Sequence, residues 1–139
     1  DRTASARWEG GLKDGKGTIS TESGVLDASY SFSKRFEDEK GTNPEELIGA
    51  AHASCFSMAL SMILGEKGYT ADSIETSAKV TLSQSDAGFD ISKIHLDVVA
   101  AISGADDAAF QEAAETAKAN CPVSKVLKAD ISMTAKLKG

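Results

Sequence analysis

The sequence predicts a single α+β domain that spans residues 1–139, and three observations support this prediction. Short segments of alternating polar and apolar residues near both ends of the chain are typical of β-strands. One long apolar segment with a strong start signal indicates a central α-helix. The chain of 139 residues is 41% hydrophobic, which is enough to bury the core of one domain.

The N-terminal part of the chain is predicted to be an antiparallel meander. Three short alternating segments lie at residues 4–8, 17–21 and 30–36, within a region rich in Gly, Ser and Thr. Asp14-Gly15 is one of the turn signals that separate them.

The central helix is predicted to begin at Pro44 and to run to about Glu66. Thr42 or Asn43 can cap its first turn, and proline suits the first helical position. Two carboxylates follow in the first turn, where the helix dipole favours negative charge. Gly68 provides the stop at the C-terminal end.

The segment 47–65 contains 19 residues and no Asp, Glu, Lys or Arg, so a membrane span has to be considered. Its histidine, serines and small residues disfavour a hydrocarbon environment. We therefore expect a helix that is packed on all sides by protein, with no membrane as partner.

The C-terminal half is predicted to contain a hairpin, two helical segments and a final strand. Alternation over 74–82 and 89–102, with a turn at 85–88, predicts the hairpin, and a change of parity near Ser92-Lys93 indicates a bulge. Asp106 and Asp107 open a helix through Ala119, with a short helix at 122–128 and a strand at 129–137 after it.

Composition excludes several classes of function. A net charge of −6 without a basic run argues against a nucleic-acid partner, which would require a basic face. No apolar segment of the signal-peptide kind lies near the first residue, and two cysteines are too few for a secreted disulfide scaffold. We therefore expect a reducing, cytoplasmic environment.

The two cysteines are the leading candidates for chemistry. Cys55 lies within the long apolar helix, and Cys121 lies at the break that Pro122 imposes between two helical segments. Their separation is too long for a metal knuckle or a CxxC motif. If the fold brings the two sulfurs together, they form a two-thiol redox site.

The surroundings of the two sulfurs differ. A helix start favours a thiolate, so local electrostatics indicates that Cys121 is the more acidic thiol. Cys55 has apolar surroundings, which disfavour a thiolate, so it requires a nearby cation to ionise. Arg35 is the preferred cation because aromatic residues flank it just upstream of the helix.

Two other functions compete with this interpretation. His52 and Cys55 share a helix face and could form a metal site with Cys121 and His95, although His95 has the solvent-facing parity of its strand and His52 is better explained as a buried imidazole. The second alternative is a non-catalytic small-molecule-binding module with structural thiols.

Two motifs extend the interpretation because they resemble a known family. The run GTNPEELIGAAHASCFSMALS at 41–61 and the later NCPVS at 120–124 resemble the OsmC branch of the OsmC/Ohr hydroperoxide-resistance family. Shorter matches at WEG (8–10), GTISTESG (17–24) and DAGF (86–89) extend the resemblance over nearly the whole chain.

The resemblance implies a cytoplasmic cysteine-based peroxidase that reduces organic hydroperoxides, uses no cofactor or metal, and is regenerated by an external dithiol of the lipoyl type. It also implies an OsmC-like fold, with antiparallel sheets wrapped around a long central helix in an intertwined homodimer. Cys55 would be the peroxidatic thiol and Cys121 the resolving thiol. Arg35 would activate the thiolate and Glu45 would orient Arg35, with Arg7 as the alternative cation.

Helix geometry adds a prediction about the dimer. Ten residues separate Glu45 from Cys55, and a rise of ~1.5 Å per residue places their backbones about 15 Å apart on a straight helix. Either the loop that carries Arg35 reaches a long way to Cys55, or the Glu45–Arg35 pair that acts on each Cys55 comes from the second subunit. We expect the second arrangement.

Overall fold

The computed structural model describes residues Asp1–Gly139, and the chain divides into two compact units, Asp1–Leu47 and Ile48–Gly139. The expectation of a single domain stays a prediction. The chain contains both strands and helices, as an α+β fold requires. Their order is β1 Ala4–Glu9, β2 Lys16–Thr21, β3 Asp27–Tyr30, α1 Phe32–Phe36, α2 Pro44–Glu66, β4 Ala71–Ser85, β5 Gly88–Ile102, α3 Asp107–Asn120, α4 Pro122–Val126 and β6 Asp130–Leu137.

The first unit contains the predicted antiparallel meander, in the strand order β1-β2-β3. Gly17 lies in the middle of the sheet, opposite Trp8 on one side and Tyr30 on the other. The Tyr30 ring occupies the space that a side chain at Gly17 would need. It also packs against Trp8, with 5.3 Å between the ring centroids. A glycine is therefore required here for the aromatic pair to cover the sheet.

The predicted strand at 30–36 is wrong. β3 ends at Tyr30, and the next residues form helix α1, whose N-cap Ser31 accepts a hydrogen bond from the backbone N–H of Lys34. Phe32 and Phe36 are four residues apart, so in a helix they lie on one face, and their ring centroids are 4.9 Å apart. The same spacing also fits a strand, and over seven residues the sequence alone does not separate the two.

Helix α2 begins and ends where the sequence predicts. Asn43 is the residue that caps it, since the Asn43 Oδ1 atom accepts from the backbone N–H of Glu46 at 2.8 Å. At the other end Gly68 adopts a φ of +85°, which other residues rarely adopt. The backbone N–H of Tyr69 then bonds to the carbonyl of Leu64 at 2.9 Å.

Within the single chain α2 is packed on one face only, and the expectation that protein covers it on all sides stays a prediction. Its buried residues are Gly49, His52, Phe56, Leu60, Ile63 and Leu64, which lie on one face. The other face exposes Met58 (76%) and Met62 (61%) to solvent. α2 is the one helix whose length and apolar composition would allow it to cross a membrane, a test that the core helix of a soluble protein also passes. An apolar face without a partner in the single chain is what a helix at a subunit interface presents.

The second unit is built on the sheet β4-β5-β6. The hairpin of β4 and β5 is confirmed, and so is its bulge. Thr81 pairs with Lys93 and Leu82 with Ile91, so Ser92 has no paired residue on β4. The expectation of antiparallel sheets needs one correction, because β6 runs parallel to β5. A parallel neighbour requires a crossover, and α3 and α4 provide it.

The core lies in the second unit, between one face of this sheet and the helices. Alternate residues of β5 are buried, and α3 contributes the predicted alanine-rich stripe together with Phe110. Gly49 allows α2 to approach β4 closely, since a Cβ atom there would lie 3.3 Å from the carbonyl oxygen of Ala78. The core residues are Phe56, Leu60, Ile63, Leu64, Ile94, Leu96, Val98, Ala100, Ile102, Phe110, Ala113, Ala114, Ala117 and Cys121.

A candidate two-cysteine active site

Cys55 lies in the middle of α2, on the border between its buried and exposed faces. The next residue, Phe56, is fully buried, whereas Cys55 is half-buried and carries a free thiol. The rigid helix therefore holds a thiol that remains accessible to solvent.

Cys121 lies at the junction of α3 and α4 and is fully buried. Its backbone is extended (φ −60°, ψ 136°) because Pro122, which follows, disfavours helical geometry at this position. As the N-cap of α4, its Sγ atom accepts a hydrogen bond from the backbone N–H of Ser124 at 3.3 Å. The predicted helix break thus positions this thiol.

The fold places the two thiols next to each other. The Cys121 thiol is close enough to act on the pKa of the Cys55 thiol. Burial raises the pKa of Cys55, the backbone N–H of Val123 lowers it, and the hydrogen bond and charge of Cys121 raise it again. The net pKa of Cys55 lies above its ordinary value.

Accessibility separates the roles that the two sulfurs can take. Local electrostatics in the sequence indicates that Cys121 is the more acidic thiol, but its exposed fraction is 0%. A solvent-borne oxidant reaches Cys55 first. Because Cys121 lies next to Cys55, it can react with an oxidised Cys55 without solvent access.

Arg35 and Glu45 form an ion pair within the first unit. The Nη2 atom of Arg35 donates to Glu45 Oε1 at 2.8 Å, and its Nε atom lies 3.3 Å from each carboxylate oxygen. The Arg35 side chain is 36% exposed and that of Glu45 13%. The alternative cation, Arg7, pairs instead with Glu9 at 3.1 Å and is largely exposed.

Sequence reasoning missed one part of the site. His52 is fully buried, and its Nε2 atom is 2.7 Å from the hydroxyl of Ser124, whose oxygen is in turn 3.0 Å from Cys121 Sγ. The sequence did show that His52 lies one helical turn before Cys55. It also contained Ser124 three residues after Cys121, a spacing that fits an N-cap contact.

The four residues of the alternative metal site are not gathered into one cluster. No group of three or more His, Cys, Asp or Glu side chains in the chain could hold a metal ion. His95 lies on β5, where its ring nitrogens are hydrogen-bonded to Ser132 at 2.7 Å and Thr134 at 3.1 Å.

An α+β fold with two adjacent free thiols, one half-buried and one buried, is the arrangement expected of a two-cysteine redox protein. Comparison with known proteins specifies the family. The family described as OsmC-like protein matches residues 37–136. The chain is 60% identical to the peroxiredoxin OsmC of Escherichia coli (strain K12) over 134 residues, which cover 96% of this chain and 94% of that protein.

More distant relatives agree with this match. The organic hydroperoxide resistance protein OhrB of Bacillus subtilis (strain 168) is 33% identical over 124 residues, 88% of this chain and 89% of the relative. The crystal structure of B. subtilis OhrB superposes with a TM-score of 0.69 at 29% identity and covers 98% of both chains. The chain belongs to the OsmC-like family.

Proposed function

We propose that this protein is a thiol-dependent peroxidase that reduces organic hydroperoxides to alcohols. The observation that carries the proposal is the proximity of an accessible Cys55 to a buried Cys121. Relatives named peroxiredoxin and organic hydroperoxide resistance protein support the substrate class.

The proposed reaction begins at Cys55. Its thiolate attacks the terminal oxygen of the hydroperoxide, the O–O bond breaks, and the leaving alkoxide takes up a proton to become the alcohol. Cys55 is then a sulfenic acid. Cys121 attacks this sulfur, an S–S bond replaces the S–O bond, and one water is released. An external dithiol supplies two electrons and two protons to restore both thiols, and a lipoyl-type reductant fits this requirement.

The first step requires a cation near Cys55. Burial, Val123 and Cys121 are the causes that act on the pKa of Cys55, and none of them is a cation. Arg35 is the proposed source of positive charge, and Glu45 holds its guanidinium in a fixed orientation through the ion pair. The guanidinium would also stabilise the charge that develops on the leaving oxygen.

We propose that the Arg35–Glu45 pair acts on the Cys55 of a second subunit in a homodimer. α2 is continuous from Pro44 to Glu66, so Glu45 and Cys55 are about 15 Å apart along one helix. The exposed methionines Met58 and Met62 provide an apolar surface on which a second copy can pack.

An apolar cavity next to Arg35 supports an organic rather than an inorganic peroxide as substrate. The cavity has a volume of about 260 Å³. Its lining is Trp8, Leu12, Tyr30, Ser31, Phe32, Arg35, Phe36 and Pro44. Hydrogen peroxide has no alkyl group with which to occupy such a space, so the cavity would add binding energy only for organic substrates. A reducing, cytoplasmic site of action completes the proposal, because the proposed reaction begins from two free thiols.

The intact mass of the protein after one equivalent of cumene hydroperoxide tests this function. We expect the loss of two hydrogens, located by peptide mapping to a Cys55–Cys121 disulfide, and one equivalent of cumyl alcohol. The same experiment on Cys121→Ser should give alcohol and a trapped sulfenic acid but no disulfide. Unchanged mass with no alcohol would refute the proposal.

A further inference from the structure

The hydrogen bonds behind Cys121 form a chain of three buried side chains. His52 Nε2 is 2.7 Å from Ser124 Oγ, and Ser124 Oγ is 3.0 Å from Cys121 Sγ. His52 and Cys121 are fully buried and Ser124 nearly so. The peroxidase mechanism above does not require either His52 or Ser124, so their arrangement needs a separate explanation.

The His52 Nδ1 atom indicates where the protons lie in these hydrogen bonds. Burial lowers the pKa of His52, which keeps the imidazole neutral with a proton on only one nitrogen. His52 Nδ1 is buried and has no hydrogen-bond partner. A buried N–H without an acceptor is rarer than a bare acceptor without a donor, so we assign the proton to Nε2. His52 Nε2 therefore donates to Ser124 Oγ.

The direction of the second hydrogen bond is then determined. Ser124 Oγ carries one proton, and it already accepts from His52, so its O–H donates to Cys121 Sγ. The backbone N–H of Ser124 donates to the same sulfur at 3.3 Å. Two hydrogen-bond donors therefore point at the Cys121 sulfur.

We infer that His52 is a positioning residue for the resolving step: through Ser124 it directs a hydroxyl donor at the Cys121 sulfur and stabilises the charge on that sulfur as it attacks the Cys55 sulfenic acid. This inference rests on the proposed peroxidase function and deepens it. Cys121 gives up its proton, its sulfur bonds to Cys55 and is oxidised, and the Cys55 sulfur is reduced from the sulfenic state. Hydroxide leaves from Cys55 and takes up one proton, so the net products are a disulfide and water.

The test separates the two chemical steps in a single turnover with cumene hydroperoxide. Loss of hydroperoxide reports the first step at Cys55. Disulfide formation, followed by alkylation and intact mass, reports the second, with dimedone to trap the sulfenic acid. For Ser124→Ala we expect disulfide formation to slow by about 10- to 100-fold while hydroperoxide loss is not slowed. Sulfenic acid should accumulate in this variant.

Conservative variants distinguish a positioning role from a merely structural one. Ser124→Thr keeps a hydroxyl and should recover most of the second-step rate. His52→Gln keeps a neutral N–H donor and should resolve faster than His52→Leu. Ser83→Ala is the matched control, because it deletes a partly buried hydroxyl whose hydrogen-bond partner, at 2.6 Å, is Ser92 rather than a cysteine.

Each result has a defined meaning. An unchanged second step in Ser124→Ala, or equal slowing of both steps, overturns the inference. Equal rates for His52→Gln and His52→Leu also overturn it. If the wild-type protein consumes no hydroperoxide, the proposed function itself is wrong. If the variants consume hydroperoxide and form the disulfide at wild-type rates, only the role inferred for His52 and Ser124 is wrong.

Discussion

Replacement of Arg35 by methionine tests the electrostatic part of the mechanism. Methionine keeps the length and much of the apolar contact of the side chain but removes its charge. The ion pair with Glu45, with its closest contact at 2.8 Å, is lost at the same time. We expect the rate of the first step to fall steeply, while the fold of each unit is retained.

The expected magnitude has two parts. A cation about 4 Å from the thiolate contributes about 4 kcal/mol at an effective dielectric constant near 20. We take about half of this, because the Arg35 side chain keeps 36% of its exposure and solvent screens its charge. About 2 kcal/mol corresponds to a change of about thirtyfold in the thiolate population of Cys55.

Removal of a donor from the developing negative charge on the leaving oxygen adds a further loss, which reaches about 10²-fold in comparable sites. The two effects together predict a second-order rate constant about 10³-fold below that of the wild type. Glu45→Gln retains the arginine but weakens its orientation, so its loss should be smaller, about tenfold.

The assay is stopped-flow consumption of cumene hydroperoxide under single-turnover conditions. Arg2→Met is the matched control, because Arg2 is almost fully exposed and lies 3.9 Å from Glu22 in a loose surface pair. Arg7→Met tests the alternative cation directly. Wild-type kinetics in Arg35→Met would refute the reasoning, and a steep loss in Arg7→Met alone would transfer the role to Arg7.

Three further predictions concern the thiols, the dimer and stability at low pH. Cys55→Ser should abolish turnover, whereas Cys121→Ser should complete one first step and then overoxidise to sulfinic acid under excess peroxide, as intact mass would show. Met58→Glu combined with Met62→Glu should give a monomer by sedimentation with little peroxidase activity; a fully active monomer would contradict the shared site. Because burial lowers the pKa of His52 in the folded state, the unfolded chain binds an extra proton below a pH of about 6.5. Stability should therefore fall as the pH drops through that value, by up to about 1.4 kcal/mol per pH unit in urea titrations, and His52→Gln should show a shallower dependence.

Several elements could be predicted from local sequence because local interactions determine them. The start of α2 is set by Asn43 and Pro44, and its end by Gly68 in a positive-φ conformation. The bulge at Ser92 follows from a change of parity along β5. The side chains of a strand alternate with a period of two residues, and those of a helix repeat with a period of 3.6. A short segment of sequence is therefore enough to show either pattern.

Local sequence failed where a neighbour distant in the chain decides the outcome. The spacing of Phe32 and Phe36 fits either a strand or a helix, and the segment forms α1. The direction of β6 relative to β5 depends on the crossover through α3 and α4. The exposed face of α2 has the same apolar composition as its buried face, so composition does not show which face the single chain covers.

The sequence by itself determined which groups are available for chemistry: two thiols in reactive settings, one arginine upstream of α2, and the motifs that identify the family. Only the tertiary structure decided which thiol meets solvent, because burial depends on packing between α2, α3 and the sheet. It also decided that Ser124 links His52 to Cys121, two residues 69 positions apart. Hydrogen bonds between residues so distant in the chain leave no periodic signal, and the fold alone sets their geometry.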